Sequence, residues 1–131
     1  EIFIIEINPR MIGGLCSRCL SFGLFKTSLE EIALHAFLNN ELKSIDLLSN
    51  FVGVLMIPTP ISGKFISINK NELESIPNVS GVEITVSENS NLLEPPFGYK
   101  YLCFVFSQGD SKEKVMESLT LALDLANPII K

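Results

Sequence analysis

The segment Glu6-Ile7-Asn8-Pro9-Arg10 closes an apolar run over residues 2–7. Since successive side chains of a strand point to opposite faces, Glu6 and Asn8 would share one face, about 7 Å apart along the strand. We therefore expect a strand that begins buried on both faces and ends by presenting a carboxylate, a carboxamide and the Arg10 guanidinium. Carboxylate and amide oxygens are ligands that magnesium takes, and arginine suits phosphate. From spacing alone, the other interpretation is a strand whose last residues reach solvent, with Asn8-Pro9 starting a turn.

This segment, together with the residues after it, resembles a known family. Glu6-Ile7-Asn8-Pro9-Arg10 followed by Ile12-Gly13-Gly14-Leu15-Cys16-Ser17-Arg18 is similar to the last catalytic strand of the ATP-grasp superfamily. The resemblance implies that Glu6 and Asn8 hold magnesium against the phosphates of ATP. It also implies that Arg10 is the catalytic residue that contacts the phosphate or acyl-phosphate. Two protein ligands are enough for magnesium only when a nucleotide and water supply the others.

Four positions after this motif are candidates for binding anions. Gly13 and Gly14 allow close approach of the backbone to a ligand, so we expect them to bind ATP together with Arg10. Ser17 and Arg18 stand at the start of a predicted short helix over residues 14–22, which Gly23 would cap. Because a helix N-terminus favours anions, we expect Ser17 and Arg18 to bind the carboxylate or phosphate of the substrate.

The tail of the chain, from about residue 63 to residue 125, resembles the C-terminal domain of the ATP-grasp branch that includes L-amino-acid ligases. The residues that carry this resemblance are Ser62-Gly63-Lys64, Ile76-Pro77-Asn78-Val79-Ser80-Gly81-Val82-Glu83, Pro95-Pro96-x-Gly98-Tyr99 and Phe104-Val105-Phe106-x-x-Gly109-Asp110. The resemblance implies that residues 1–50 end an ATP-grasp catalytic domain and that residues 51–131 form a C-terminal α+β accessory domain. The implied reaction joins a small carboxylate, such as an amino acid, to an amine through an acyl-phosphate, with magnesium and ATP.

Several parts of an ATP-grasp site have no counterpart in this sequence. The adenine pocket, the lysines on the phosphates, the lid and a further carboxylate would all lie before Glu1. The chain starts without methionine and enters a predicted strand at once, so we expect a piece of a longer polypeptide. ATP and magnesium binding are therefore expected only with an upstream ATP-grasp domain as partner, and no turnover is expected from this chain alone.

Composition restricts the class of protein. Of the 131 residues, 47% are hydrophobic and 19% charged, which is typical of a packed globular chain. The formal net charge is −5 and no basic cluster is present, which argues against nucleic-acid binding. No apolar run approaches the roughly eighteen residues of a membrane span. Three cysteines without a secretory signal favour the cytoplasm.

The remaining sequence predicts an α+β fold. Ser28 with Glu31 forms a capping box that starts a helix ending at Asn39-Asn40, with apolar residues on two faces that we expect to be covered. From residue 51 onward the predicted order is strand, strand, helix, strand, strand, helix, over residues 51–57, 64–68, 71–76, 82–86, 101–106 and 110–127. A loop is predicted over residues 88–99, and Asp110 with Glu113 forms a second capping box at the start of the last helix. We expect the first two strands to pair antiparallel, and residues 101–106 to be central because they are almost continuously apolar. The result is a mainly antiparallel sheet with helices packed on one face.

Three other interpretations remain open at this stage. Cys16-x-x-Cys19 is compatible with a zinc or redox site, although reduced, packed cysteines are favoured because a zinc site needs four ligands. His35 is expected to be a partly buried or surface histidine. The alternative to a ligase fragment is a non-catalytic, ferredoxin-like module that binds a small ligand or forms a homodimer.

Overall fold

The fold is that of a computed structural model, which describes residues 2–6, 13, 15–18, 23–42, 44–49 and 51–131. Its elements, in chain order, are α1 (Leu29–Asn39), β1 (Phe51–Pro58), β2 (Gly63–Ser67), α2 (Lys70–Glu74), β3 (Val79–Ile84), β4 (Asn91–Leu92), β5 (Tyr101–Gly109), α3 (Lys112–Leu125) and β6 (Ile129–Ile130). One sheet has the strand order β1-β5-β3 and another has the order β4-β2-β6, and all pairs are antiparallel. The predicted α+β class is confirmed.

Strand β5 occupies the centre of the first sheet, as its apolar sequence predicts. It pairs with β1 on one side and β3 on the other, and residues 102–107 are all buried. Leu102, Cys103 and Val105 have no exposed surface. A strand with this composition is stable only where neighbours pair both of its edges and side chains cover both of its faces.

Helix α3 covers one face of this sheet and packs on β1 and β5. Gly53 of β1 permits the close approach, because a Cβ there would lie 2.9 Å from Val115 and Leu119 side-chain carbons of the helix. The N-cap of α3 is Ser111, whose Oγ accepts from the backbone N–H of Lys114. Asp110, the predicted cap, instead forms an ion pair with Lys114 Nζ at 2.9 Å.

The predicted pairing of the first two strands is wrong, because β1 and β2 belong to different sheets. Pro58 and Pro60 prevent the tight turn that a hairpin requires. Between them, buried Thr59 donates its hydroxyl hydrogen to the carbonyl of Lys100 at 2.9 Å, which fixes the link beside the start of β5. Strand β2 pairs instead with β4, which lies in the predicted 88–99 loop, and with β6 at the end of the chain.

The first fifty residues differ most from expectation. Residues 2–6 belong to neither helix nor strand, and Ile2 and Ile5 are almost fully exposed, so the predicted opening strand is not formed over its described part. A strand needs a neighbour to satisfy its backbone hydrogen bonds, and none of the described strands pairs with this segment. Helix α1 begins as predicted, with Ser28 Oγ accepting from the Glu31 N–H at 3.1 Å. However, α1 has no buried residue, so the expected double coverage is absent.

No helix in the part of the chain that the structure describes is long and apolar enough to cross a membrane.

Candidate functional site

The predicted substrate residues lie on the face of the β1-β5-β3 sheet that α3 does not cover. Met56, Phe104 and Glu83 are directly opposite one another across the three strands and form a cross-strand row. Since Gly53 faces α3 and lies three residues before Met56, this row points to the other face.

Two contacts attach the segment Cys16-Ser17-Arg18 to the ends of that row. Cys16 Sγ lies 3.7 Å from Met56 Sδ at one end. At the other end, Arg18 Nη1 lies 3.3 Å from Glu83 Oε2, and both side chains are 43% exposed. Ser17, between them, is buried. The segment therefore crosses the sheet perpendicular to its strands.

Further along the chain, Gly23 attaches the polypeptide to a second row of the same face. Val52 and Gln108 are paired across β1 and β5. A Cβ on Gly23 would lie 2.8 Å from Gln108 Cβ and 2.8 Å from Val52 Cγ1, closer than real Cβ contacts come. The sequence predicts a helix cap at Gly23, and the structure shows a close contact of its backbone with the sheet.

The local backbone around the predicted substrate residues is a tight turn. The N–H of Cys16 donates to the carbonyl of Gly13 at 3.3 Å, and the N–H of Arg18 donates to that of Leu15 at 2.9 Å. Leu15 has a positive φ of 62°. Within the predicted helix over 14–22, residues 15–17 form this turn, Arg18 is helical, and residues 14 and 19–22 lie outside the described part of the chain.

The structure describes four of the seven predicted site residues. Gly13, Ser17 and Arg18 come together at the turn, and Gly13 is exposed, with no atom of the described residues within 4 Å of an added Cβ. Glu6 is an exposed carboxylate. Asn8, Arg10 and Gly14 lie outside the described residues. The structure thus places the proposed substrate positions and one proposed magnesium ligand.

The cysteines in the described part of the chain do not form a zinc site. No group of three or more His, Cys, Asp or Glu side chains that could hold a metal ion occurs among the described residues. Burial raises the pKa of the Cys103 thiol to about 11, which favours the neutral thiol over the thiolate that binds metal. Cys19 lies outside the described residues.

His35 is partly buried, in agreement with its predicted setting. It lines a small cavity of about 110 Å³ with Glu31 and Asp46, among others, and its buried Nδ1 has no hydrogen-bond partner among the described residues. A larger open cleft, of about 450 Å³, lies between residues 47–49, Asn78 and the start of α3.

Comparison with known proteins identifies the fold. No family model matches the chain, and no curated protein matches it. Among solved structures it is similar to an L-amino acid ligase from Bacillus licheniformis, with a TM-score of 0.79 and 19% identity, over 98% of this chain and 33% of that chain. The chain has the fold of one third of that ligase. It spans about a third of the length of the protein it matches.

The contact with Arg18 makes Glu83 a further candidate residue, one that the sequence does not indicate. Glu83 stands in a strand of alternating apolar and polar residues, which indicates only that it faces away from the Val82 side. Its partner Arg18 depends on the register of β3 with β5 and on the path of the N-terminal segment. No local pattern in the sequence indicates that contact.

Proposed function

We propose that this chain is the C-terminal part of an ATP-dependent carboxylate–amine ligase of the ATP-grasp superfamily. The observation that carries the proposal is the similarity to the L-amino acid ligase over 98% of the chain. It agrees with the resemblance of the Glu6–Arg10 motif and of the tail. In this proposal residues 1–50 belong to the catalytic domain and residues 51–131 to the accessory domain, and an upstream ATP-grasp domain in a longer cytoplasmic protein completes the site.

The residues present fit half of a magnesium–ATP site. Glu6 is an exposed carboxylate, and Asn8 follows it two residues later. A magnesium ion keeps several waters and takes phosphate oxygens, so two protein oxygens from this chain are a sufficient share. When bound, the ion would neutralise charge on the phosphates of ATP. The carboxamide of Asn8 and the carboxylate of Glu6 would orient it, and the Gly13 and Gly14 backbone would approach the phosphates.

In the proposed reaction, an oxygen of the substrate carboxylate attacks the γ-phosphorus of ATP, and ADP leaves with the electrons of the broken P–O bond. The nitrogen of the amine then attacks the carbonyl carbon of the acyl-phosphate. Inorganic phosphate leaves and the nitrogen loses a proton, which gives the amide. Arg10 stabilises charge on the transferring phosphoryl group, and Ser17 and Arg18 bind the carboxylate substrate, which is a small acid such as an amino acid.

The experiment is phosphate release by the full-length protein with magnesium, ATP and a panel of amino acids. We expect amino-acid-dependent release that falls by at least a hundredfold, on the order of 3 kcal/mol, in Glu6→Gln and in Arg10→Gln. Glu88→Gln, in the exposed loop after β3, is the matched control and should retain activity. Full activity in both motif variants, or no nucleotide binding by the wild-type protein, would overturn the proposal.

A further inference from the structure

We propose that Glu83 is a positioning residue for Arg18, so that the β1-β5-β3 sheet of the accessory part takes part in substrate binding. The inference rests on the proposed function, because it assigns to Glu83 the orientation of an arginine that binds the carboxylate substrate. Glu83 itself need not touch the substrate. It acts through the contact between its Oε2 and Arg18 Nη1, at 3.3 Å.

The cross-strand row provides the geometry for this role. Neighbouring strands lie about 4.8 Å apart, so Met56 and Glu83, at the two ends of the row, are roughly 10 Å apart. Cys16 and Arg18 contact those two ends. The row is part of a sheet whose central strand is buried over residues 102–107, and strand pairing fixes the backbone at both contact points. The turn is thereby fixed at two points, on either side of buried Ser17.

The chemistry of the ion pair leaves the arginine able to bind a second anion. A guanidinium has five N–H donors in a planar fork, and the 3.3 Å contact with Glu83 involves one of its nitrogens, Nη1. The remaining donors have the geometry for a bidentate contact with a carboxylate. A carboxylate partner also restricts the rotamers of a long side chain, so that less conformational entropy is lost when substrate binds.

The same pair contributes little to the stability of the fold. Both side chains are 43% exposed, and ion pairs in such settings contribute about 0–1 kcal/mol because water screens them. Orientation of Arg18 is therefore the main consequence of the contact. Because loss of the ion pair should hardly change stability, an effect of a Glu83 variant on substrate binding can be separated from a general loss of folding.

The test is steady-state kinetics of the full-length protein with magnesium, ATP and its best amino acid from the panel. For Glu83→Gln we expect KM for the amino acid to rise roughly tenfold with little change in kcat. Misplacement of a catalytic or binding group by 1 Å can lower activity about a hundredfold, and we expect Arg18 to move by less than that. Glu83→Asp, which keeps the charge on a shorter stem, should fall between wild type and Glu83→Gln. Glu88→Gln should leave KM unchanged.

A double-variant cycle distinguishes positioning from an unrelated structural effect. Once Arg18 is replaced, in Arg18→Gln, the further change Glu83→Gln should have little additional effect on KM. Independent effects that multiply, or an unchanged KM in Glu83→Gln while wild type is active, would overturn this inference alone. An inactive wild-type protein would overturn it together with the proposed function. Thermal unfolding of every variant should agree with wild type to within a few degrees.

Discussion

Arg18 and Glu83, far apart in the sequence, meet at 3.3 Å on the sheet face opposite α3. The contact joins the segment with the predicted substrate residues to strand β3. Together with Gly23 against Val52 and Gln108, it gives the central sheet a covering on each face: a helix on one, a closely attached N-terminal segment on the other. The candidate site is therefore supported by the sheet and does not stand apart from it.

Replacing Gly23 by alanine should destabilise the chain. The added methyl would lie 2.8 Å from Gln108 Cβ and 2.8 Å from Val52 Cγ1. The Cβ of Gln108 cannot move independently of its strand. Overpacking of this kind costs about 1–3 kcal/mol. The measurement is urea unfolding. Gly13→Ala, in the same segment, places its new methyl more than 4 Å from every atom in the described part of the chain, and it should change the free energy of unfolding by less than about 0.5 kcal/mol.

The relative stability of these two glycine variants decides whether the segment is attached to the sheet. Equal stability of Gly23→Ala and Gly13→Ala would contradict the close contact of residue 23 with β1 and β5.

Features of this arrangement that depend on neighbouring residues can be predicted from the sequence, whereas features that depend on residues far apart in the chain cannot. The centrality of β5 follows from a continuous apolar run, and the start of α1 from Ser28 and Glu31, because both are local patterns. In the sequence, only Pro58 and Pro60 indicate that β1 and β2 belong to different sheets. To predict this separation, one must also know which other strands pair with β2. The Arg18–Glu83 contact depends on strand register and chain path together.

The N-cap of α3 shows the limit of local signals in a smaller case. Asp110 and Ser111 are both good caps by residue type. The backbone selects Ser111, which has the extended φ of −141° that a cap requires, while Asp110 pairs with Lys114 one turn into the helix. The sequence pattern predicts the start of the helix, but Asp110 as its cap is wrong, because Ser111 takes that position.

Ser111→Ala should therefore destabilise the chain by about 1 kcal/mol, because the Lys114 N–H loses its acceptor. Asp110→Ala is the matched control, and it removes only an exposed ion pair with Lys114. Chemical unfolding of the two variants decides between the caps. A larger loss in Asp110→Ala than in Ser111→Ala would show that Asp110 caps the helix.

Phe65 is expected to be among the most costly side chains to remove. It is 2% exposed in β2 and belongs to the core shared by both sheets. Phe65→Ala should lower the free energy of unfolding by about 3–5 kcal/mol through lost burial and a residual cavity. Phe97→Ala, at a 76% exposed position, should change it little. Comparable stability of the two variants in denaturant unfolding would place Phe65 outside the core.

The buried thiol of Cys103 should make stability depend on alkaline pH. Burial raises its pKa from 9.0 to about 11, so between these values the folded state holds a proton that the unfolded state has lost. Because the unfolded state then binds fewer protons, the free energy of unfolding falls as pH rises from about 9 to about 11, and the contribution is fully present below pH 9. Comparison of wild type with Cys103→Ala by denaturant unfolding at several pH values isolates this effect from other titrating groups. The stability difference between the two proteins should shrink as pH rises from about 9 to about 11. A pH-independent difference would mean that the strands and helix around the Cys103 thiol do not shield it from water.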